Sequence, residues 1–269
     1  MTDILIHHEA GVATLTFNRL DKKNSITTAM YAAMADAVQG VATDPATRVL
    51  VIQGHETIFS AGNDIADFLN NPPATADSPV FRFLRAISTC PKPVVAAVCG
   101  PAVGIGTTLL FHCDLVYAGD NAAFSMPFVN LGLCPEAASS LLVPQMLGYH
   151  RAAEALLMGE PFMAEAALEV GLANRVVPPT EANGIAQAQA RKDSVVLGMV
   201  LEPTPGLDPT TAPAAAIVRR GAKHGARSAV APTATMRLNI SPRWPAMVIS
   251  CTAKAICPSS TQKPAAPRE

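Results

Sequence analysis

Phe59-Ser60-Ala61-Gly62-Asn63-Asp64-Ile65 and Cys99-Gly100-Pro101-Ala102-Val103-Gly104-Ile105-Gly106 are the two stretches on which the reading of the fold turns. Each follows a short apolar run, Val49-Leu50-Val51-Ile52 before the first and Val94-Val95-Ala96-Ala97-Val98 before the second. Such runs, bounded by turn residues, read as strands buried on both faces. Each stretch then opens into a segment of helical character. Glycine at the break permits the dihedrals of a sharp strand-to-helix turn and a close approach of backbone to ligand. The first N–H groups of a helix have no intrahelical partner, so two converging junctions can hold developing negative charge as an oxyanion hole. Taken singly, each junction also fits a plain turn with a helix cap. No phosphate-binding G-x-G-x-x-G or Walker pattern accompanies them.

A third piece lies downstream, Gly132-Leu133-Cys134-Pro135-Glu136, followed by Ala137-Ala138-Ser139-Ser140. Glu136 is expected at the start of a helix over 136–147, where the helix dipole favours a carboxylate. The preceding Met126-Pro127-Phe128-Val129-Asn130-Leu131 is apolar at nearly every position. A carboxylate facing such a wall is pushed toward a neutral pKa, as a proton carrier requires. From these residues alone, a helix-terminal role and a catalytic role for Glu136 stand even.

Outward from these pieces, residues 4–8 and 11–18 read as an antiparallel pair turning at Ala10-Gly11. Thr27 or Thr28 can cap a helix running to about residue 41, and Asp44-Pro45 ends it. A strand over 48–53 leads into the first junction, with helices over 65–70 and 80–89 after it. The second junction opens a helix from about 104 to 113, followed by strands over 114–118 and 122–125. Helices over 149–158 and 163–169, a strand over 175–177 and a helix over 181–192 complete the pattern. Alternating strands and helices place the chain in the α/β class.

After Lys192 the character changes. The 77 residues from Asp193 onward hold ten of the 23 prolines, and only Asp193, Glu202, Asp208 and Glu269 are acidic. A structureless stretch of this length is uncommon inside a compact domain. The expected organisation is a core over 1–192 and an atypical Pro-rich region over 193–269 whose composition fits a disordered tail.

Composition narrows the partners. A net charge of −1 gives no electrostatic reason to expect nucleic acid or a membrane surface. No apolar run approaches the roughly 18 residues of a bilayer span. Met1-Thr2-Asp3-Ile4 enters a strand pattern without a basic leader, and Pro267-Arg268-Glu269 is not a peroxisomal address, so a cytoplasmic location is expected. Six scattered cysteines form no metal-ligand spacing, and no metal is expected.

Several motifs taken together resemble the crotonase (enoyl-CoA hydratase/isomerase) superfamily over residues 4–192. They are Arg19 with Lys23-Asn24-Ser25, Ser60-Ala61-Gly62-Asn63-Asp64, the Gly104 junction and Cys113-Asp114-Leu115-Val116-Tyr117-Ala118. Glu160-Pro161-Phe162-Met163-Ala164-Glu165-Ala166-Ala167 and Gly171-Leu172-Ala173-Asn174-Arg175-Val176-Val177 belong to the same set. The resemblance implies a ββα spiral core, a homotrimer or hexamer, and acyl-coenzyme A thioesters as substrates. Coenzyme A is then part of the substrate, and no separate cofactor is expected. It also implies backbone N–H donors at Asn63 and Ile105 for the thioester oxygen. Ala61, Gly62, Asp64, Ile65 and Gly104 would line the substrate, with the Lys22–Lys23 loop near the coenzyme A phosphates. Hydratases of the family use two glutamates, at the positions held here by Thr108 and Phe128, and neither residue supplies a base. Glu136 matches the single base of the Δ3,Δ2-enoyl-CoA isomerase branch, with Phe128 and Leu133 as an apolar, water-excluding wall. The implied activity is migration of the double bond of a 3-enoyl-CoA to the trans-2 position. Other acyl-CoA enolate chemistry and a non-catalytic acyl-CoA-binding remnant are the alternatives. The family's C-terminal stretch is helical, and residues 193–269 do not look like it, as a shift of reading frame near Lys192 would produce.

Overall fold

Ala10 and Gly11 both take left-handed dihedrals (φ 48° and 77°), which is what a two-residue turn between twisted strands demands. They close β1 (Ile4–Glu9) onto β2 (Val12–Phe17) in the computed structural model of the chain. The structure describes residues 2–201, with side chains through 194, and residues 236–237 and 248–249. Thr27 caps α1 (Thr28–Thr43) by accepting the N–H of Met30 at 3.3 Å. Then come β3 (Val49–Gln53), α2 (Ile65–Asn70), α3 (Pro79–Thr89) and β4 (Val94–Val98). After β5 (Pro101–Val103) and α4 (Ile105–Thr108), 3-10 turns continue the helix over Leu109–His112. β6 (Leu115–Gly119), β7 (Ala123–Ser125), α5 (Ser139–Leu147) and α6 (Tyr149–Ala153) follow, the last running on as a π turn, Glu154–Met158. β8 (Phe162–Met163), α7 (Ala164–Glu169), β9 (Arg175–Val177) and α8 (Pro179–Leu201) end the described core.

The main sheet has the order β1-β2-β3-β4-β6-β9, with β1 antiparallel and the rest parallel. Both faces of its centre are buried, and alternate residues serve different layers. Leu15, Phe17, Leu50, Ile52, Ala96 and Val98 cluster with Met34 and Val38 of α1 and Phe83 and Ile87 of α3. Val12, Val49, Val51, Val95, Ala97 and Tyr117 cluster on the other face with Ala186 and Ala190 of α8. A small second sheet pairs β5 parallel to β7 and β7 antiparallel to β8.

The boundary expected at Lys192 falls inside α8. Residues 193–201 contain no proline, and the helix stops just before Pro203, whose ring disfavours helical dihedrals at the residue before it. The expected tail otherwise lies outside the described residues. A separate unit, Thr233–Glu269, contributes β10 (Met236–Arg237) and β11 (Val248–Ile249), paired antiparallel. Among the described residues no helix is long and apolar enough to cross a membrane.

Candidate active site

The first junction is tied to the polar loop before α1. Lys23 and Asn24 are both left-handed (φ 52°), a conformation that asparagine tolerates better than most residues. The buried Asn24 amide accepts the Arg19 N–H at 2.9 Å and donates to the carbonyls of Phe59 at 3.1 Å and Ile58 at 3.3 Å. Ser60 Oγ donates to the Asn24 carbonyl at 2.9 Å, and the Ala61 N–H donates to the Lys23 carbonyl at 3.0 Å. Lys22 and Lys23 are thereby anchored beside the junction, with their side chains exposed.

Gly62 sits at φ +84°, and a Cβ there would lie 2.8 Å from the Val103 carbonyl oxygen, so only glycine fits. Ile26 brackets the next residue, donating to the Gly62 carbonyl at 2.8 Å and accepting the Asp64 N–H at 2.9 Å. The N–H of Asn63 takes no part in that pairing and has no acceptor among the described residues. Asp64 is engaged by the protein itself. Its carboxylate caps α2 by accepting the Asp67 N–H at 3.1 Å and accepts from Arg19 Nη1 at 2.8 Å. That guanidinium holds the carboxyl below the usual carboxylate range. Ile65, at 54% exposure, faces solvent.

The second junction runs alongside the first. Phe59 and Ser60 donate to the Pro101 carbonyl at 3.2 and 3.1 Å, and Val103 donates to the Ser60 carbonyl at 2.9 Å. β5 was not expected from the sequence; its parallel pairing with β7 makes it a strand, and Ser60 adds a bridge on its other edge. Gly104 (φ 55°) turns the chain, donates to the Ser125 carbonyl at 2.9 Å, and accepts from Thr107 and Thr108, both at 2.9 Å. Ile105 is the first residue of α4, and its N–H likewise has no acceptor among the described residues. Two unengaged peptide donors thus stand on adjoining backbone segments.

Glu136 is not at a helix start. Ala137 and Ala138 follow it in left-handed conformation (φ 54° and 55°), and α5 begins only at Ser139. The helix dipole is therefore not what stabilises this carboxylate. Ser139 donates to the Glu136 carbonyl through Oγ at 2.6 Å and through its N–H at 3.0 Å. His112 Nε2 donates to the Ala137 carbonyl at 2.8 Å. Glu136 Oε1 accepts the Thr108 hydroxyl at 2.5 Å, while Oε2 is sealed from solvent with no partner among the described residues. Although the residue is only half-buried, its carboxyl head is enclosed. Burial pushes that carboxyl up to about 7, against the pull of the Thr108 hydrogen bond toward the ionised form. Such a group can both take and return a proton near neutrality.

Tyr31 braces the first junction. Its hydroxyl donates to Asn63 Oδ1 at 2.6 Å, and its ring packs on Phe83 with centroids 5.9 Å apart. Burial, and then the nearby charge of Glu136, push the phenol well above its usual range. Phe128 is buried as expected. Leu133 is not: 43% exposed, it does not wall in the carboxyl within this chain, because the 3-10 turn Val129–Leu131 ends at a left-handed Gly132. Sequence reasoning passed over Tyr31 and His112. The only signal for Tyr31 is a polar tip beside Met30 on an otherwise apolar helix.

Known proteins resemble the chain in sequence and in fold. A family model described as Enoyl-CoA hydratase/isomerase matches residues 7–192. Enoyl-CoA delta isomerase 2 of Rattus norvegicus is 42% identical over 181 residues, which cover 65% of this chain and 46% of that protein. The 1,2-epoxyphenylacetyl-CoA isomerase of Escherichia coli (strain K12) is 37% identical over 216 residues, 77% of this chain and 79% of the relative. The crystal structure of an enoyl-CoA hydratase/isomerase from Pseudoalteromonas atlantica T6c superposes with a TM-score of 0.74 at 34% identity, covering 84% of this chain and 86% of that one. The chain spans about half the length of the delta isomerase relatives it matches.

Proposed function

This chain belongs to the enoyl-CoA hydratase/isomerase family, and from that premise we propose that it moves the double bond of a 3-enoyl-CoA to the trans-2 position. The observation that carries the proposal is the enclosed Glu136 carboxyl, ionising at about 7 and held by a residue of the helix that opens at Ile105. Ionised Glu136 removes a proton from C2. The C2–H electron pair moves into the thioester carbonyl, and the resulting dienolate oxygen is held by the N–H groups of Asn63 and Ile105. The same carboxyl returns the proton to C4: the C3=C4 π pair forms the C4–H bond, the C1=C2 pair of the dienolate shifts to C2=C3, and the oxygen pair restores the thioester carbonyl. One acid suffices because the proton is taken and returned on one face. Thr108 and Phe128, at the positions where the family's hydratases carry glutamates, supply no base to activate water, which disfavours hydration. Coenzyme A enters as part of the substrate, and Lys22 and Lys23, whose side chains are exposed, are the residues proposed to meet its phosphates.

The Escherichia coli relative, matched over a larger share of its length, favours a second reading in which Glu136 serves a different acyl-CoA enolate chemistry. An absorbance assay with 3-hexenoyl-CoA, run on wild type and Glu136→Ala, tests the first. Turnover that the substitution abolishes is expected, and turnover that survives it would remove Glu136 from the mechanism. Substantial hydration of crotonyl-CoA would contradict the argument from Thr108 and Phe128.

A further inference from the structure

One helical segment joins the oxyanion donor to the base. α4 and the 3-10 turns after it run without a break from Ile105 to His112, with Thr108 (φ −69°, ψ −28°) and Leu109 (φ −62°, ψ −26°) both right-handed at the join. Residues 105, 108 and 112 all lie on this one segment, and the side chains of Thr108 and His112 both reach the Glu136–Ala137 turn. The first presents its N–H, the second binds the Glu136 carboxyl, and the third binds the carbonyl of Ala137, the next residue in the chain. Side chain and backbone of the base are thus held from one rigid piece. The hold on the backbone opposes a real tendency, since left-handed dihedrals at two successive alanines crowd Cβ against the carbonyl. Thr108 is fully buried, and its single hydroxyl proton goes to Glu136 Oε1.

We propose that Thr108 and His112 are positioning residues for the proton carrier. Thr108 occupies Oε1, fixing the carboxyl's orientation and leaving Oε2 as the one oxygen that shuttles the proton. His112 clamps the turn that aims Glu136 at the substrate. The segment 105–112 then acts as a spacer that sets the base against the oxyanion donor, and errors of about 1 Å in such spacing cost roughly a hundredfold in rate. This rests on the reading of Glu136 as the proton carrier, so its test includes a measurement independent of turnover.

Thr108→Val keeps the shape and removes the donor, and Thr108→Ser restores the donor. His112→Phe and His112→Gln form the same contrast at the second clamp. Two readouts apply: kcat and KM with 3-hexenoyl-CoA across neutral pH, and 13C NMR titration of the Glu136 carboxyl in glutamate-labelled protein, assigned with Glu136→Gln. Thr108→Val should lower kcat at neutral pH by about tenfold or more while KM changes by less than about threefold. It should also move the NMR titration of Glu136 upward by about one pH unit, the effect of losing one hydrogen bond to a carboxylate. Thr108→Ser should reverse both changes, and His112→Gln should recover most of what His112→Phe loses in kcat. An unshifted titration in Thr108→Val, or a serine variant no better than the valine, overturns the proposal for Thr108. Should the valine variant fail to fold, Thr108→Ala takes its place in the same titration. Wild type that does not turn over 3-hexenoyl-CoA sinks the isomerase reading, while the NMR comparison still decides the clamp.

Discussion

Replacing Glu136 by glutamine should abolish turnover and, as pH rises, increasingly stabilise the fold. In the folded chain this carboxyl ionises at about 7 instead of its ordinary 4.5, because burial disfavours the charge. Between those two values the folded state keeps a proton that the unfolded state has released, so stability falls as pH rises through that window. The full cost, about 3 kcal/mol, is present above pH 7 and absent well below 4.5. Glutamine has no such titration. It can still accept from Thr108 through its carbonyl oxygen, but it puts an amide nitrogen where Oε2 has no partner among the described residues, a fixed cost of about 1–3 kcal/mol. The sign of the total therefore depends on pH, while the slope does not depend on that fixed cost. Urea unfolding of both proteins, followed by circular dichroism at about pH 5 and about pH 8, should show the variant gaining roughly 2–3 kcal/mol on wild type between the two conditions. A difference that stays constant across that range would mean that the carboxyl is neither enclosed nor raised, and the argument for Glu136 as a proton carrier would lose its physical basis.

Three further outcomes follow from the same geometry. The rate kcat/KM should climb about tenfold between about pH 6 and about pH 8 as Glu136 ionises, and a flat profile across neutrality would contradict its role as base. Tyr31→Phe keeps the ring on Phe83 and deletes the donor to Asn63 Oδ1, so kcat should fall about five- to tenfold with little change in melting temperature; unchanged kcat would show that the Asn63 side chain needs no such hold. Gly62→Ala should cost more than about 2 kcal/mol in chemical denaturation, since φ +84° and a Cβ 2.8 Å from the Val103 carbonyl oxygen leave no relaxed position; a variant as stable as wild type would refute that close approach.

What was legible in the sequence is what local chemistry decides. The Ala10-Gly11 turn, the Thr27 cap and the strands over 49–53 and 94–98 each carry their signal within a few residues, and the chain folds accordingly. The two glycine junctions were legible as a pair, each a glycine break directly after a buried strand, although either alone fits a plain turn. Where a distant contact decides, the reading failed. β5 is three residues long and starts with proline, and it is a strand because Ser60 and Ala123 pair with it. Ala137 and Ala138 have the highest intrinsic helix propensity of any residue, yet both are left-handed. The His112 hydrogen bond to the Ala137 carbonyl comes from 25 positions away, a convergence that no local pattern announces. Tyr31 went unnoticed, because a phenol's role appears only when its partner, Asn63, is brought in from beyond β3. Leu133 shows the converse error: apolar character predicted enclosure, and backbone turning at Gly132 left it exposed.

The placing of α8 has a consequence for how the protein is made. Ala186 and Ala190 are what cover the outer strip of the sheet, Val12, Val49, Val51, Val95, Ala97 and Tyr117. On the ribosome those strands emerge well before the helix, and their parallel pairing already joins segments far apart in sequence. Until about residue 190 has cleared the exit tunnel, the nascent chain carries a sheet with one wet apolar face, the kind of surface that chaperones grip and aggregation exploits. Final closure of the core therefore waits on the last described helix, and a ribosome stalled ahead of Pro179 would hold out a sticky, half-covered intermediate.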